Sequence, residues 1–202
     1  LTHPHEDHVG GLPAVLQNIS VQRVLDSGFP YNSAVYRNFL SLVKQNKIKY
    51  SLARGEQTLF LDSEVKAQIL NPFLPFLTET NSDCNNASIA FRLLYKNFSI
   101  MLTGDLEEEG EARILSFFSP DKLSAVVLKA GHHGSRTATS NHFLEAIRPK
   151  VAIISCGRRN KFRHPHKETI ERFKNIKTYR TDQDGAVEIV SNGKGYAIRT
   201  AK

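Results

Sequence analysis

The chain has 202 residues, of which 40% are hydrophobic, 23% charged and eight proline, the proportions of an ordinary globular domain. They exclude a disordered tail, a collagen-like rod and a disulfide-stapled miniprotein, and no apolar run reaches the roughly 18–20 residues needed to cross a bilayer. The net charge of +7 is uneven: residues 129–202 carry sixteen Lys and Arg against six Asp and Glu, whereas residues 1–128 carry eleven against fourteen. A basic carboxyl-terminal third favours an anionic partner such as nucleic acid, a phosphate ester or a membrane surface; the plainer alternative is a solvated basic face.

In chain order, Gly10-Gly11-Leu12-Pro13 leads into a predicted helix over residues 14–19, followed by a strand over 21–25. Val35, Phe39, Leu42 and Val43 fall at helical spacing and predict a helix over 32–45. Short strands are expected over 48–52, 58–61 and 65–70. Residues 71–86, with two prolines and a polar run around Cys84, read as a long loop of the functional kind. Strands over 88–95 and 98–102 flank a tight turn at Lys96-Asn97, and a helix with an acidic first turn covers 107–118. Beyond it come a near-continuous apolar strand over 123–129, a helix over 141–147, a strand over 151–155 ending near Cys156, and a helix over 168–173. Strands around Thr178, over 187–190 and over 196–198 complete the chain. Mixed strands and helices in this order suggest helix-covered sheets in one domain, residues 1–202.

Three segments carry chemistry. Thr2-His3-Pro4-His5-Glu6-Asp7-His8 places three imidazoles and an aspartate within six residues, donors suited to zinc or manganese. Thr103-Gly104-Asp105 follows one apolar strand, and Gly131-His132-His133-Gly134-Ser135 closely follows another. Gly-Asp alone is usually only a turn, but several strand ends bearing such residues are how an open sheet builds a site.

In this order, the His-x-His-x-Asp-His opening, the aspartate of Thr-Gly-Asp and the Gly-His-His-Gly-Ser loop resemble the metal motifs of the metallo-β-lactamase superfamily. Asn85-Asn86-Ala87-Ser88, His164-Pro165-His166 and Thr181-Asp182-Gln183-Asp184-Gly185 narrow the likeness, which runs from residue 2 to about 199. The branch it is similar to is the extracytoplasmic hydrolase domain of the ComEC/Rec2 competence proteins. The resemblance implies an α/β (α+β) fold, an αββα sandwich with two divalent ions, zinc or manganese, at one edge. It implies His3 and His5 on one ion, Asp7, His8 and His133 on the other, and Asp105 bridging. No histidine occurs between His8 and His132 to complete the first site. The resemblance to the competence branch implies that Asn85 or Asn86 takes that place, which lowers the expected affinity and favours manganese, an amide oxygen being a weaker ligand than imidazole.

The implied activity is metal-dependent phosphodiester hydrolysis, a nuclease reaction on incoming DNA without sequence preference, with Asp7, Asp105 and His132 as catalytic residues. His132 either orients the substrate or protonates the leaving group, and Glu107 either assists or merely compensates a helix terminus. Ser135, Arg136, Arg158, Arg159, His164 and His166 are candidate substrate contacts; for the last two a surface turn is the plainer reading. Phe162 is either a stacking surface for a base or incidental. Two alternatives stand beside the nuclease: a hydrolase of a small phosphoester such as a phosphorylcholine ester, and a non-catalytic DNA-guiding module with a vestigial metal site. The likeness also implies a parent protein with a membrane channel, on the outer side of the bacterial cytoplasmic membrane; no protein partner is indicated. Because the chain opens inside a motif, without Met, we expect a fragment lacking the preceding strands, with a short first sheet, an exposed apolar face and reduced stability.

Overall fold

The computed structural model describes residues 1–202. The chain begins with helices α1 (Glu6–Val9) and α2 (Leu12–Asn18), strand β1 (Arg23–Asp26), helix α3 (Ala34–Gln45) and strand β2 (Lys49–Leu52). Ser33 starts α3 by accepting the Tyr36 N–H at its hydroxyl, 3.1 Å. From there Tyr36, Phe39 and Val43 form a buried stripe against Val9, Leu16 and Val24, seating the first three helices on β1. β1 and β2 pair in parallel as a two-stranded sheet.

The second sheet has seven strands in sequence order: β3 (Thr58–Phe60), β4 (Val65–Asn71), β5 (Ala90–Tyr95), β6 (Phe98–Leu102), β7 (Val127–Lys129), β8 (Val151–Ile154) and β9 (Lys177–Arg180). Pairing is antiparallel from β3 to β6 and parallel from β6 to β9, so β6, β7 and β8 deliver their carboxyl ends to one edge. Helices α4 (Asp83–Asn86), α5 (Glu108–Phe117), α6 (Pro120–Leu123), α7 (Asn141–Ile147), α8 (Lys167–Arg172) and α9 (Thr181–Asp184) interleave with these strands, and β10 (Val187–Ser191) and β11 (Tyr196–Thr200) form a separate antiparallel hairpin.

Adjacent β4 residues show how the layers are made. Leu70 enters the large core with Met101, Leu128, Ile114, Phe143 and Ile147, where α5 and α7 cover the sheet. Its neighbour Ile69 points to the opposite face, packing with Ala53, Ile89 and Leu25 toward the first sheet. The order is therefore helix, sheet, sheet, helix, as expected. The first sheet has two strands against seven in the second. An apolar groove of about 190 Å³ lies where the sheets meet, lined by Leu1, Leu25, Leu59, Leu61, Ile69 and Phe91.

Several local expectations need correction. Residues 123–129 are not one strand: Pro120, with its ring-fixed φ, starts the short helix ending at Leu123, and only Val127–Lys129 pairs. The 71–86 loop closes with α4, in which Cys84 is buried. The turns α1 and α9 lie in segments whose residues show no helical periodicity.

Candidate metal centre

The site lies at the edge where β6 and β7 end, facing the turn after Leu1. Gly104, between β6 and Asp105, has φ +56°, and a Cβ there would meet Ser88 and Thr2 side-chain atoms at 3.0–3.1 Å. Glycine is needed at that bend. After β7 the backbone takes three successive left-handed residues, His132 (φ 42°), His133 (φ 53°) and Gly134 (φ 85°). Left-handed non-glycine residues cost roughly 1–3 kcal/mol each and persist where surroundings hold them. Here the His132 N–H donates to Gly104 O at 3.1 Å, and the Ser135 N–H to His132 O at 2.8 Å. The outcome is two consecutive imidazoles turned toward Asp105.

Asp105 is the centre of the cluster. Its Oδ2 lies 3.2 Å from His8 Nε2, 3.4 Å from His133 Nε2 and 3.8 Å from His132 Nε2. Asp7 Oδ2 is 3.4 Å from His133 Nε2 and 3.6 Å from His8 Nε2. One ligand atom from each of Asp7, His8, Asp105 and His133 falls within 4.8 Å of the others. Around a four-coordinate ion with bonds of about 2.0–2.2 Å, donors sit about 3.3–3.6 Å apart, so this group has the spacing of a cation site. His8 Nε2, His133 Nε2 and Asp105 Oδ1 are also buried without a hydrogen bond of good geometry. Such buried atoms demand a partner, and a divalent ion fits.

His133 is oriented by a second contact, Nδ1 to the Ser155 carbonyl at 2.9 Å. A carbonyl only accepts, so Nδ1 carries the proton and Nε2 is the atom that faces the carboxylates. The carboxylates of Asp105 and Asp7, each 3.4 Å from Nε2, push His133 up to about 9. Against the penalty of burial, His133 and His8 hold Asp105 far below the usual carboxylate range, and His133 holds Asp7 down at about 2. Positive charge is what these carboxylates stabilise.

On the other side of Asp105, His3 Nε2 lies 3.1 Å from His5 Nδ1. His3 is fully buried, and burial together with nearby His8 pushes it down to about 3, so it is neutral as ligation requires. Its Nδ1 contacts Ser88 Oγ and Thr2 Oγ1, each at 3.2 Å. Ser88 Oγ also accepts the Asp105 N–H at 3.1 Å, joining the opening motif to the bridge. Asn85 Oδ1 is buried without a hydrogen-bond partner, and Asn85 lies beside His5. Its Nδ2 donates to Glu107 Oε1 at 2.9 Å, and the same oxygen accepts from His132 Nδ1 at 3.0 Å. These two contacts outweigh burial and lower the Glu107 carboxyl.

A model of the metallo-beta-lactamase superfamily matches residues 1–158. The chain belongs to the metallo-β-lactamase superfamily. Within that setting it is similar to ComE operon protein 3 of Bacillus subtilis, 31% identical over 191 residues, which are 93% of this chain and 24% of that protein. Recombination protein 2 of Haemophilus influenzae is 31% identical over 179 residues, covering 88% and 20% of the two chains. Competence protein ComA of Neisseria gonorrhoeae is 36% identical over 110 residues, covering 54% and 16%. The chain thus spans a quarter or less of the length of these relatives.

This superfamily member places its other sequence-predicted residues unequally. His164 stands at the rim, its ring centroid 5.4 Å from that of His132, and burial with the neighbouring imidazoles pushes it down to about 4. Phe162 is 61% exposed and stacks on His164 at 5.8 Å. Arg158 and Arg159 are exposed on the same loop, Arg158 donating to Asp182 O at 3.3 Å. Arg136 is exposed behind the His-His turn and gives its N–H to His166 Nδ1 at 3.0 Å, so that ring atom serves the backbone. Ser135 does not face the cluster: it is buried, its hydroxyl 2.9 Å from Thr137 Oγ1 and its carbonyl accepting from Thr169. Asn86 does not fill the vacant ligand place either, because its Oδ1 accepts from the N–H groups of Glu107 and Gly110, capping α5. Sequence reasoning gave Ser88 no role, although it belongs to the Asn-Asn-Ala-Ser motif. The Ser155 carbonyl left no side-chain signal to find.

Proposed function

We propose that the chain is a dinuclear metal-dependent phosphodiesterase that cleaves DNA without sequence preference. The observation that carries this reading is the group of four donors, Asp7, His8, Asp105 and His133, at the spacing of one cation site. In this reading those four residues would hold one ion, while His3, His5 and Asn85 would hold the other, with Asp105 common to both. The oxygen of Asn85, in place of an imidazole, favours manganese over zinc at the second of these. Bound divalent ions supply Lewis acidity, water activation at neutral pH and neutralisation of phosphate charge.

The chain's own residues do the rest. His132 Nε2 faces Asp105 Oδ2 at 3.8 Å, an acceptor atom placed to take up a proton at the centre and pass it to a leaving oxygen. Arg158, Arg159, Lys161 and Arg163, on the loop after β8, meet the phosphates on either side of the cleaved bond. No helix is long and apolar enough to cross a membrane. The similarity to competence proteins supports a setting in DNA uptake, with this chain as the hydrolase part of a longer membrane protein on the outer side of the cytoplasmic membrane.

The test is incubation with single- and double-stranded DNA and Mn²⁺. Cleavage should need the metal and be lost in His133→Ala and Asp7→Ala; cleavage surviving both substitutions would refute the reading. Hydrolysis of a small chromogenic phosphodiester against which DNA does not compete at low salt would point instead to a small phosphoester.

A further inference from the structure

One acidic side chain outside the donor set organises both halves of the centre. Glu107 is 4% exposed, and its Oε1 is the meeting point of two donors, Asn85 Nδ2 at 2.9 Å and His132 Nδ1 at 3.0 Å. Its backbone is fixed as well, since the Glu107 N–H donates to Asn86 Oδ1 at 3.1 Å. The two consecutive asparagines thus divide the work: Asn86 holds the Glu107 main chain, and Asn85 meets its side chain.

Both contacts determine which atom is left for the centre. A carboxylate oxygen only accepts, so Asn85 must present its NH₂ to Glu107; the flipped amide would set two oxygens against each other in a buried place. Asn85 Oδ1 is then turned away from Glu107, where it has no partner. By the same rule the His132 proton sits on Nδ1, and Nε2 carries the lone pair toward Asp105. An acid at the start of a helix is ordinarily explained by the helix dipole. Here the carboxylate points at two side chains of the centre and makes no side-chain cap.

We propose that Glu107 is the positioning residue of the centre: it turns the Asn85 oxygen toward the His3–His5 pair and fixes His132 as the Nδ1–H tautomer. The assignment rests on the two-ion reading for its consequence, but its geometry stands without any ion. It explains how a chain lacking a third histidine builds its first site: the amide works as a ligand because a buried carboxylate holds its other end.

The experiment is long-range ¹H–¹⁵N NMR of metal-free, ¹⁵N-histidine-labelled protein, with His132 assigned from His132→Gln, followed by Mn²⁺ titration. Wild type should show His132 protonated at Nδ1. Glu107→Ala should move the proton to Nε2 and weaken the weaker Mn²⁺ site at least about tenfold. Glu107→Gln, which keeps an accepting oxygen, should retain the tautomer and restore most of the affinity. An Nε2–H tautomer in wild type overturns the proposal without recourse to any variant. So does a folded Glu107→Ala with unchanged Mn²⁺ binding. Failure of wild type to bind Mn²⁺ at all would refute the two-ion reading instead, while leaving the tautomer result standing.

Discussion

His133 is tied to the carbonyl of Ser155 at 2.9 Å, so a residue at the end of β8 orients a side chain from the turn after β7. That carbonyl is itself braced. Thr181 Oγ1 accepts the Cys156 N–H and donates to Cys156 O, both at 2.9 Å. The Thr-Asp-Gln-Asp-Gly segment therefore reaches the centre through the backbone that follows the neighbouring strand β8. Thr181→Val removes both bonds and should cost about 1–3 kcal/mol in denaturant unfolding. It should also weaken Mn²⁺ binding about tenfold by calorimetry, as loss of an outer orienting contact does. Unchanged binding in a destabilised protein would separate the brace from the centre.

Glu111 gives the clearest pH signature away from the cluster. Its carboxylate accepts the N–H groups of Thr139 and Ser140, yet near-complete burial raises it from 4.5 to about 7. Between those values the folded protein holds a proton that the unfolded chain has released. Its contribution to stability is therefore greatest below about pH 4.5 and is lost as pH rises through about 7. Glu111→Gln cannot titrate, so its stability deficit relative to wild type should shrink as pH rises from 5 to 8. A deficit independent of pH in matched urea melts would show that Glu111 ionises normally.

The basic loop makes a salt-dependent prediction. Each lost phosphate contact should flatten the slope of log K against log salt by about 0.9 for duplex DNA. Arg159→Ala and Lys161→Ala, both exposed, should each do so in fluorescence anisotropy without altering unfolding. An unaltered slope in the double variant would place the DNA elsewhere.

Much of this was legible because the donors lie in contiguous motifs and the elements that carry them have strong periodicity. The 141–147 helix and the 98–102 strand match expectation to the residue. Where reading failed, local signals competed. The apolar run 123–129 hides a helix end, since Leu123 is buried in either state. Ser135 belongs to the Gly-His-His-Gly-Ser motif yet faces inward, because the left-handed turn that points both histidines at Asp105 directs the next side chain away. The double role of Glu107 was out of reach for a different reason: it depends on α4 and the turn after β7 meeting at one oxygen, a long-range fact that no spacing encodes.

If Asp105 and its neighbours form a divalent-cation centre, crystals soaked in Mn²⁺ will reveal it by anomalous diffraction. A peak is expected within bonding distance of Asp7, His8, Asp105 and His133, with a second, weaker one beside His3, His5 and Asn85. Saturating Mn²⁺ with no peak among the first four residues would mean that Asp105 does not organise a cation site.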